Sequence, residues 1–360
     1  MQDSEIQKAA ASLLEDIFSN PAPANELINM YTRSRRYIGS KDRRKLTELV
    51  WDMVRTKAKW DFTHPDQNWA ARILLKGHDN FSNCEFPENV LLEIPDWIYP
   101  YFENNTEEMK ALLGTAPIVL RANGDREKIR GLLLKEGIET RKTDLSPYGL
   151  ILEKRVNLAG SNTFQKGLVE VQDEASQMVA LETGIKPQDS VLDYCAGAGG
   201  KSLIFAQMMN GKGKIVAHDI SRGRLKELEK RLTRGGAKNI QINGDLKAEK
   251  PASFSHVVVD APCSGTGTWR RCPDAKWKMT PTHLAHLLKT QEEVLQKAAA
   301  YVKPGGKISY MTCSLLSVEN KKQVEKFLQK NTEFVIVNEK QFSPAITETD
   351  GLYICTMQKR

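Results

Sequence analysis

Strands and helices alternate regularly in the secondary structure that we predict from about residue 173 onward. The predicted strands lie near residues 190–194, 214–218, 239–242, 255–259, 306–311, 333–337 and 352–357. The predicted helices lie near residues 174–183, 200–210, 221–235, 281–302 and 317–330. Because this alternation is typical of parallel sheets, we expect an α/β fold with an open, mostly parallel sheet covered by helices on both faces.

The 360 residues are enough for two or three domains of roughly 100–200 residues each. Apolar residues recur at helical spacing before residue 60, and prolines divide the following stretch into short pieces. We predict a helical domain over 1–116, a small α/β unit over 117–172 and the main sheet over 173–360.

The charge is unevenly distributed along the chain. It has 52 Lys and Arg residues against 45 Asp and Glu residues, a formal net charge of +7. Residues 33–59 alone contain ten basic and three acidic residues. Such a segment permits an anionic partner such as nucleic acid, but a solvated helix face explains it equally well.

The composition excludes several other classes of protein. The sequence is 40% hydrophobic and 27% charged, which is ordinary for a globular chain. The first 30 residues have no apolar signal-peptide core, and no run of 18 apolar residues occurs. Six scattered cysteines do not make a disulfide framework. We expect a cytoplasmic protein with reduced cysteines and no membrane partner, and take a monomer as the default state.

A glycine-rich turn follows the first predicted strand of the main sheet, in Val191-Leu-Asp-Tyr-Cys-Ala-Gly-Ala-Gly-Gly-Lys-Ser202. Glycines there let the backbone approach a nucleotide, but their spacing is not G-x-G-x-x-G, which disfavours a dinucleotide. Asp219 closes the next strand, where an acid binds the ribose hydroxyls of NAD or S-adenosylmethionine; alternatively it caps the following helix. Asp245, after the third strand, is either an adenine contact or a turn residue.

Two further strands end in a cysteine. Val257-Val-Val-Asp260-Ala-Pro-Cys263 is a buried strand followed by an acid and a thiol, and Ser309-Tyr-Met-Thr-Cys313-Ser314 is the second. A buried inert thiol is the usual state of such a cysteine. Two of them at one expected sheet edge favour a reactive role instead. Neither lies in a C-x-x-C or beside a histidine cluster, so we predict no metal site.

These motifs, in this order, resemble those of the RNA cytosine-C5 methyltransferases of the Sun/RsmB type. The resemblance rests on Cys195-Ala-Gly-Ala-Gly-Gly-Lys201, Asp260-Ala-Pro-Cys-Ser-Gly and Thr312-Cys-Ser314, and extends through Arg270–Trp277 and Asp350-Gly351. Lys41–Thr56 is similar to the NusB-like helical domain of the bacterial small-subunit rRNA members. One departure is Ala198, where most members have proline.

The resemblance implies a fold and an activity. The fold is a Rossmann-like S-adenosylmethionine-dependent methyltransferase sheet, preceded by an RRM-like α/β unit and an all-helical NusB-like domain. The activity is methylation of cytosine C5 in RNA, with 16S rRNA favoured as the substrate. The implied cofactor-binding residues are Cys195, Ala196, Gly197, Ala198, Gly199, Gly200, Lys201, Asp219, Asp245 and Asp260.

Two cysteines near one base suit this chemistry. C5 of cytosine is a poor nucleophile, and a thiolate that adds to C6 turns the ring into an enamine-like species that attacks the cofactor methyl. The C5 proton and the thiol must then leave. Related DNA enzymes use the Pro-Cys thiol as nucleophile, which would be Cys263. The resemblance instead assigns attack to Cys313 and product release to Cys263, with Asp260 orienting the cytosine edge or the cofactor.

Two basic segments are candidates for RNA binding, although each is alternatively a solvated surface. One is the helix of the dense basic stretch, and the other is the basic and aromatic loop after Cys263. The predicted RNA-binding residues are Arg35, Arg36, Arg43, Arg44, Arg270, Arg271 and Lys276.

Three other functions remain open at this point. A non-catalytic RNA-binding or ribosome-assembly factor could keep the sheet, although it would have no need for both cysteines. Methylation of cytosine in tRNA uses the same chemistry as methylation of rRNA. A DNA cytosine methyltransferase is disfavoured by the motif order and by the second cysteine.

Overall fold

The computed structural model describes residues 1–76, 81 and 84–360, which form two compact units. The first unit comprises Met1–Thr115 and Thr268–Leu284, and the second comprises Ala116–Gly267 and Ala285–Arg360. Residues 77–80 and 82–83 of the predicted 1–116 domain lie outside the described residues.

The first unit consists mainly of helices, as expected. They are α1 (Asp3–Ser19), α2 (Ala24–Ser34), α3 (Ser40–Arg55), α4 (Lys57–Thr63), α5 (Trp69–Leu75), α6 (Glu88–Leu91) and α7 (Thr106–Ala111). Helices α1, α2 and α3 account for most of the apolar residues that recur at helical spacing before residue 60 of the sequence.

Helices α1 and α3 pack their apolar faces into one core. Leu13, Leu14 and Ile17 of α1 are fully buried, as are Leu46 and Val50 of α3. Burying each of these side chains stabilises the fold by about 1.5–3 kcal/mol relative to leaving it exposed. The opposite face of α3 remains exposed and basic, because that core uses only its apolar stripe.

The second unit contains a small antiparallel sheet in the order β2-β3-β1-β4. Its elements are β1 (Val119–Ala122), α8 (Arg126–Lys135), β2 (Thr140–Lys142), β3 (Gly149–Leu152), α9 (Asn162–Gln165) and β4 (Val169–Val171). Strand β2 has no apolar alternation that would predict a strand from the sequence, because Arg141 and Lys142 are exposed. Pairing with β3 is what defines it.

The main sheet follows in the order β10-β11-β9-β8-β5-β6-β7. Its strands are β5 (Ser190–Asp193), β6 (Lys214–Ala217), β7 (Ile240–Ile242), β8 (Phe254–Asp260), β9 (Val302–Thr312), β10 (Phe334–Phe342) and β11 (Leu352–Lys359). The remaining helices are α10 (Glu174–Leu181), α11 (Gly200–Met208), α12 (Arg222–Gly235), α13 (Ala275–Lys278), α14 (Pro281–Ala299), α15 (Lys321–Lys330) and α16 (Pro344–Thr347). Strands β5 to β9 pair in parallel, and β10 and β11 add an antiparallel edge. The predicted α/β fold is therefore confirmed.

The central strands are almost wholly apolar, because helices cover both of their faces. Val191, Leu192, Val257, Val258 and Val259 have no exposed surface. Since the carboxyl ends of parallel strands lie at one edge of a sheet, the residues that follow β5, β6, β8 and β9 come together there.

The compact units divide the chain differently from the predicted domains. The predicted 117–172 and 173–360 segments belong to one unit, within which the Arg121 guanidinium donates to the Gly200 carbonyl at 3.3 Å. Thr268–Leu284, which was expected within the methyltransferase domain, belongs to the helical unit. None of the helices among the described residues has the length and apolar character needed to cross a membrane.

Candidate active site

The glycine-rich turn joins the end of β5 to the start of α11. Gly197 and Gly199 have positive φ values of 56° and 80°, which favour glycine. A Cβ at Gly199 would also collide with the Leu228 side chain. The conformation of this turn therefore favours glycine at both positions, and its contact with a cofactor stays a prediction. Arg231 donates to the Ala198 carbonyl at 2.9 Å and so holds the turn at the position where proline is usual.

Asp219 ties the end of β6 to the glycine turn. Its Oδ2 accepts the Gly197 N–H and its Oδ1 accepts the Ser221 N–H, both at 2.8 Å. It therefore both organises the turn and supports the start of α12, which agrees with the capping interpretation. Its Oδ2 also lies 3.7 Å from a guanidinium nitrogen of Arg224, and ribose binding by Asp219 stays a prediction.

The other predicted cofactor contacts near this edge differ in exposure. Asp245 is exposed after β7, and its Oδ1 accepts the Lys247 N–H at 3.1 Å, as a turn residue does. Ile220 was not predicted from the sequence, yet its side chain is 94% exposed directly after Asp219. An apolar residue next to a strand-end acid is the signal in the sequence that could have identified Ile220 as a candidate contact.

Lys201 and Asp260 form an ion pair across the site. Lys201 Nζ lies 2.6 Å from Asp260 Oδ2, which joins the first turn of α11 to the end of β8. Burial lowers the pKa of Lys201, but the charges of Asp260 and Cys313 outweigh this, so that the pKa lies above its usual value. The Lys201 ammonium therefore stays charged, and the Asp260 carboxylate balances that charge.

The two predicted catalytic cysteines lie in contact. Cys263 Sγ is 3.3 Å from Cys313 Sγ, although the residues are 50 positions apart. The hydrogen bond between them and burial raise the pKa of the Cys263 thiol well above its usual value. Burial and nearby carboxylates also raise the pKa of Cys195. Cys263 and Cys195 are therefore neutral thiols at physiological pH.

A buried carboxylate that was not predicted from the sequence links the two cysteine loops. Glu319 has no exposed surface and accepts hydrogen bonds from Ser264 and Ser314, the residues that follow the two cysteines. The signal in the sequence is an acid directly after Val318, six residues after the second cysteine.

The basic and aromatic loop after Cys263 is built into the helical unit instead of forming an exposed surface. Arg270 and Lys276 are 7% and 5% exposed, and Trp269 is 1% exposed. Lys276 lies near Glu93, and burial raises the pKa of Glu93 to about 7 and lowers that of Lys276 to about 8. These placements correct the expected exposed loop, because Arg270 and Lys276 are not presented to RNA phosphates.

The predicted RNA contacts of the N-terminal segment fall into two groups. Arg35 stacks on Tyr31 with its guanidinium carbon 3.6 Å from the ring centre, and Arg44 pairs with Glu48 at 2.8 Å. Arg36 and Arg43 are exposed, and neither guanidinium is paired with a carboxylate among residues 1–76, 81 and 84–360. Arg271, in the other segment, is partly exposed.

The described residues show no cluster of three or more His, Cys, Asp or Glu side chains able to hold a metal ion. The polar groups of the site instead belong to the glycine turn, the Lys201–Asp260 pair and the two thiols. These residue types match the sequence prediction of a nucleotide-binding edge with a nucleophilic thiol, which stays a prediction here.

Comparison with known proteins agrees with this geometry. The family model of 16S rRNA methyltransferase RsmB/F matches residues 179–358. The probable ribosomal RNA small subunit methyltransferase B of Bacillus subtilis is 33% identical over 67% of this chain and 59% of its own length. The ribosomal RNA small subunit methyltransferase B of Pasteurella multocida is 30% identical over 94% of this chain and 76% of its own length.

A similar fold has also been solved. The structure of the protein PH0851 covers 98% of this chain and 99% of its own, with a TM-score of 0.81 at 21% identity. The cofactor expected from the sequence, S-adenosylmethionine, agrees with the methyltransferase family model. On the family match and the shared sequence, the chain belongs to the RsmB/F family of 16S rRNA methyltransferases.

Proposed function

We propose that this protein methylates C5 of a cytosine in 16S rRNA, using S-adenosylmethionine. The observation that carries the proposal is the contact between Cys263 and Cys313, at 3.3 Å, at the carboxyl ends of adjacent strands β8 and β9. A pair of thiols beside a nucleotide-binding turn suits a reaction that must both attack a pyrimidine ring and release it.

The residues present suit S-adenosylmethionine, which when bound supplies an electrophilic methyl group. Residues Cys195–Lys201 form a turn whose positive-φ glycines bring the backbone close to a ligand. Asp219, after β6, would accept hydrogen bonds from the ribose hydroxyls, and the exposed Ile220 would offer an apolar surface to the adenine. Asp245 would reach the adenine amino group, and Asp260 would orient the cytosine edge or the cofactor.

Cys313 is the proposed nucleophile. Its thiolate adds to C6 of cytosine, which makes C5 nucleophilic enough to take the methyl group. A base, a role that water can fill, then takes the C5 proton as the C6–S bond breaks. The electrons of that bond return to Cys313 as a thiolate, and the aromatic ring is restored. The Lys201 ammonium, held by Asp260, is the cation of this site, and its raised pKa keeps it charged.

Cys263 is the proposed release residue. Its raised pKa keeps Cys263 a neutral thiol, which suits proton transfer better than attack, since the thiolate is the reactive form. Its neutral thiol lies within hydrogen-bond distance of Cys313 and can exchange a proton with that sulfur as the adduct breaks down.

RNA binding is proposed for the exposed part of the basic N-terminal segment. Arg36 and Arg43 are unpaired there among the described residues, and Tyr37, beside Arg36, is 72% exposed. Unpaired cations bind phosphates, and an exposed ring stacks on a base. The engaged Arg35 and Arg44 add positive charge to the same surface. The target base must leave any stack before it reaches the thiols.

The experiment is methyl transfer from labelled S-adenosylmethionine to unmodified 16S rRNA, tRNA or DNA, with matched cysteine variants. We expect 5-methylcytosine in 16S rRNA, no product with Cys313→Ala, and a covalent RNA adduct with Cys263→Ala that survives a denaturing gel. Transfer that survives Cys313→Ala and is lost in Cys263→Ala would reverse the two roles.

The choice of nucleic acid separates the remaining functions. Preferential methylation of tRNA would replace rRNA as the substrate. RNA binding without transfer to any of the three nucleic acids would favour a non-catalytic ribosome-assembly factor. The 16S rRNA must be tested in two forms. One is the naked RNA, and the other is the RNA within a partly assembled ribosomal subunit from the cytoplasm.

A further inference from the structure

The Glu319 carboxylate lies in the interior between the two cysteine loops. Its Oε1 accepts the Ser264 backbone N–H at 2.8 Å and the Gln291 side-chain amide at 2.9 Å. Its Oε2 accepts the Ser264 hydroxyl and, at 2.5 Å, the Ser314 hydroxyl. All four hydrogen bonds end on one side chain with no exposed surface.

The two serines give this carboxylate its link to the thiols. Ser264 directly follows Cys263 at the end of β8, and Ser314 directly follows Cys313 at the end of β9. The serines are 50 residues apart in the sequence. Beyond the strand ends, the Ala261 N–H donates to the Met311 carbonyl at 2.9 Å and the Gly267 N–H donates to the Cys313 carbonyl at 3.1 Å. The side-chain bonds to Glu319 add a buried link next to both cysteines.

We propose that Glu319 is a positioning residue that holds the Cys263 and Cys313 thiols in contact, a role that rests on the functions proposed for those thiols. Glu319 accepts hydrogen bonds from both loops, and it therefore contributes to their separation together with the direct bonds of Thr266 and Gly267 to the Cys313 loop. It touches neither thiol directly in the described contacts and acts through Ser264 and Ser314.

Glu319 is itself held from two directions. The Tyr310 hydroxyl donates to the Glu319 backbone carbonyl at 2.7 Å. Gln291, on α14, donates both to Glu319 and to the carbonyl of Pro262, which precedes Cys263. These bonds leave the carboxylate little freedom to move. Loss of the carboxylate would instead leave several buried donors without an acceptor.

The carboxylate also contributes its charge. The hydrogen bond with Cys313 and burial raise the pKa of Cys263 most. The charges of Cys313 and Glu319 raise it further. Glu319 therefore helps to keep Cys263 in the neutral form that the release step uses.

The test measures the contact of the thiols without any methyl transfer. The full chain is treated with diamide, which takes two hydrogen atoms from two thiols as they form a disulfide, and Cys263–Cys313 cross-linking is timed by mass spectrometry. The variants are Glu319→Ala, Glu319→Gln and the control Glu325→Gln, an exposed acid on α15. Cys84→Ser and Cys272→Ser remove the exposed thiols from every protein in the set.

We expect slower cross-linking in Glu319→Ala and a smaller effect in Glu319→Gln, whose amide can still bridge the serine hydroxyls. The kcat should fall on the order of 10²-fold, the effect of about 1 Å of misplacement, with the KM for S-adenosylmethionine unchanged. Cross-linking at the parent rate in both Glu319 variants would overturn the proposal. Glu319→Gln provides the measurement if Glu319→Ala does not fold.

A second arm separates this inference from the proposed function. In a Cys263→Ala background, Glu319→Gln should no longer alter the rate at which the RNA adduct decays, because the thiol that it places for release is absent. The inference is contradicted if Glu319→Gln alters the decay rate of the RNA adduct in that background as much as it does when Cys263 is present. If the protein transfers no methyl group at all, the proposed function fails, and the cross-linking arm still decides whether Glu319 places the thiols.

Discussion

Cys263 Sγ and Cys313 Sγ lie 3.3 Å apart, and each follows the carboxyl end of one of two adjacent parallel strands. In the register of these strands Asp260 of β8 lies opposite Met311 of β9, so the two cysteine loops leave the sheet at the same level. The contact is therefore a consequence of strand order, and it brings together two thiols that share no local motif.

This contact predicts that mild oxidation will inactivate the enzyme reversibly. A thiol pair at this distance needs little backbone movement to form a disulfide, which would occupy both sulfurs. Methyl transfer should stop on treatment with diamide and return with dithiothreitol. Cys84→Ser, which removes an exposed thiol, should leave the inactivation unchanged. Inactivation without a Cys263–Cys313 disulfide in the peptide map would contradict this prediction.

Asp193 predicts a particular pH dependence of stability. It ends β5 with no exposed surface, and burial raises its pKa from 3.8 to about 7. Between these values the folded state holds a proton that the unfolded state has released, so stability falls as the pH rises through that window. Each pKa unit corresponds to about 1.4 kcal/mol, so the loss should amount to a few kcal/mol.

The measurement for Asp193 is the free energy of unfolding in urea at pH 4.5 and pH 8 without cofactor, at about the ends of the window. Asp193→Asn should lose much less stability than the parent protein between the two pH values. Asp144→Asn, at an exposed carboxylate, is the matched control and should keep the parental dependence. An equal slope for Asp193→Asn and the parent would show that Asp193 does not titrate in this window.

Arg121 predicts a large loss of stability on truncation. Its guanidinium is fully buried, and it donates to Asn123, Gln172 and the Gly200 carbonyl. Arg121→Met removes donors from several buried acceptors and should lower the free energy of unfolding by about 2–4 kcal/mol. Arg141→Met, on the exposed edge of β2, should change it by less than about 0.5 kcal/mol. A small effect at Arg121 would mean that water replaces its hydrogen bonds.

The exposed basic surface predicts the salt dependence of RNA binding. Arg36→Glu should weaken RNA affinity and lower the slope of log affinity against log salt by about 0.7–0.9 for each lost phosphate contact. Lys8→Glu makes the same charge change at an exposed residue of the acidic helix α1 and should have a smaller effect. Filter binding between 50 and 200 mM salt, roughly the range where such slopes are resolved, gives both values. Equal slopes for the two variants would remove Arg36 from the RNA surface.

Tyr37→Ala tests the stacking part of the same surface. Loss of one stacked base costs about 1–3 kcal/mol, so affinity should fall at every salt concentration without a change in slope. Tyr37→Phe keeps the ring and should bind RNA as the parent protein does. Equal loss in the alanine and phenylalanine variants would point to the hydroxyl instead of the ring.

The sequence by itself determined the local chemistry of this protein. Periodicity alone indicated the α/β sheet and the first three helices, since core-facing positions must repeat with each element's own period. The order of motifs indicated the glycine turn, Asp219, Asp260 and both cysteines. These features are local, because each depends on residues that are neighbours along the chain.

The tertiary structure decided which of these groups meet and which are hidden. The Cys263–Cys313 contact and the Glu319 bonds join segments about 50 residues apart, and only strand pairing sets such distances. Likewise, Arg270 and Lys276 look like surface cations in the sequence, but packing with Arg55 and Glu93 buries them in the helical unit. Burial is a property of the packed fold, and a charged residue's sequence neighbours do not reveal it.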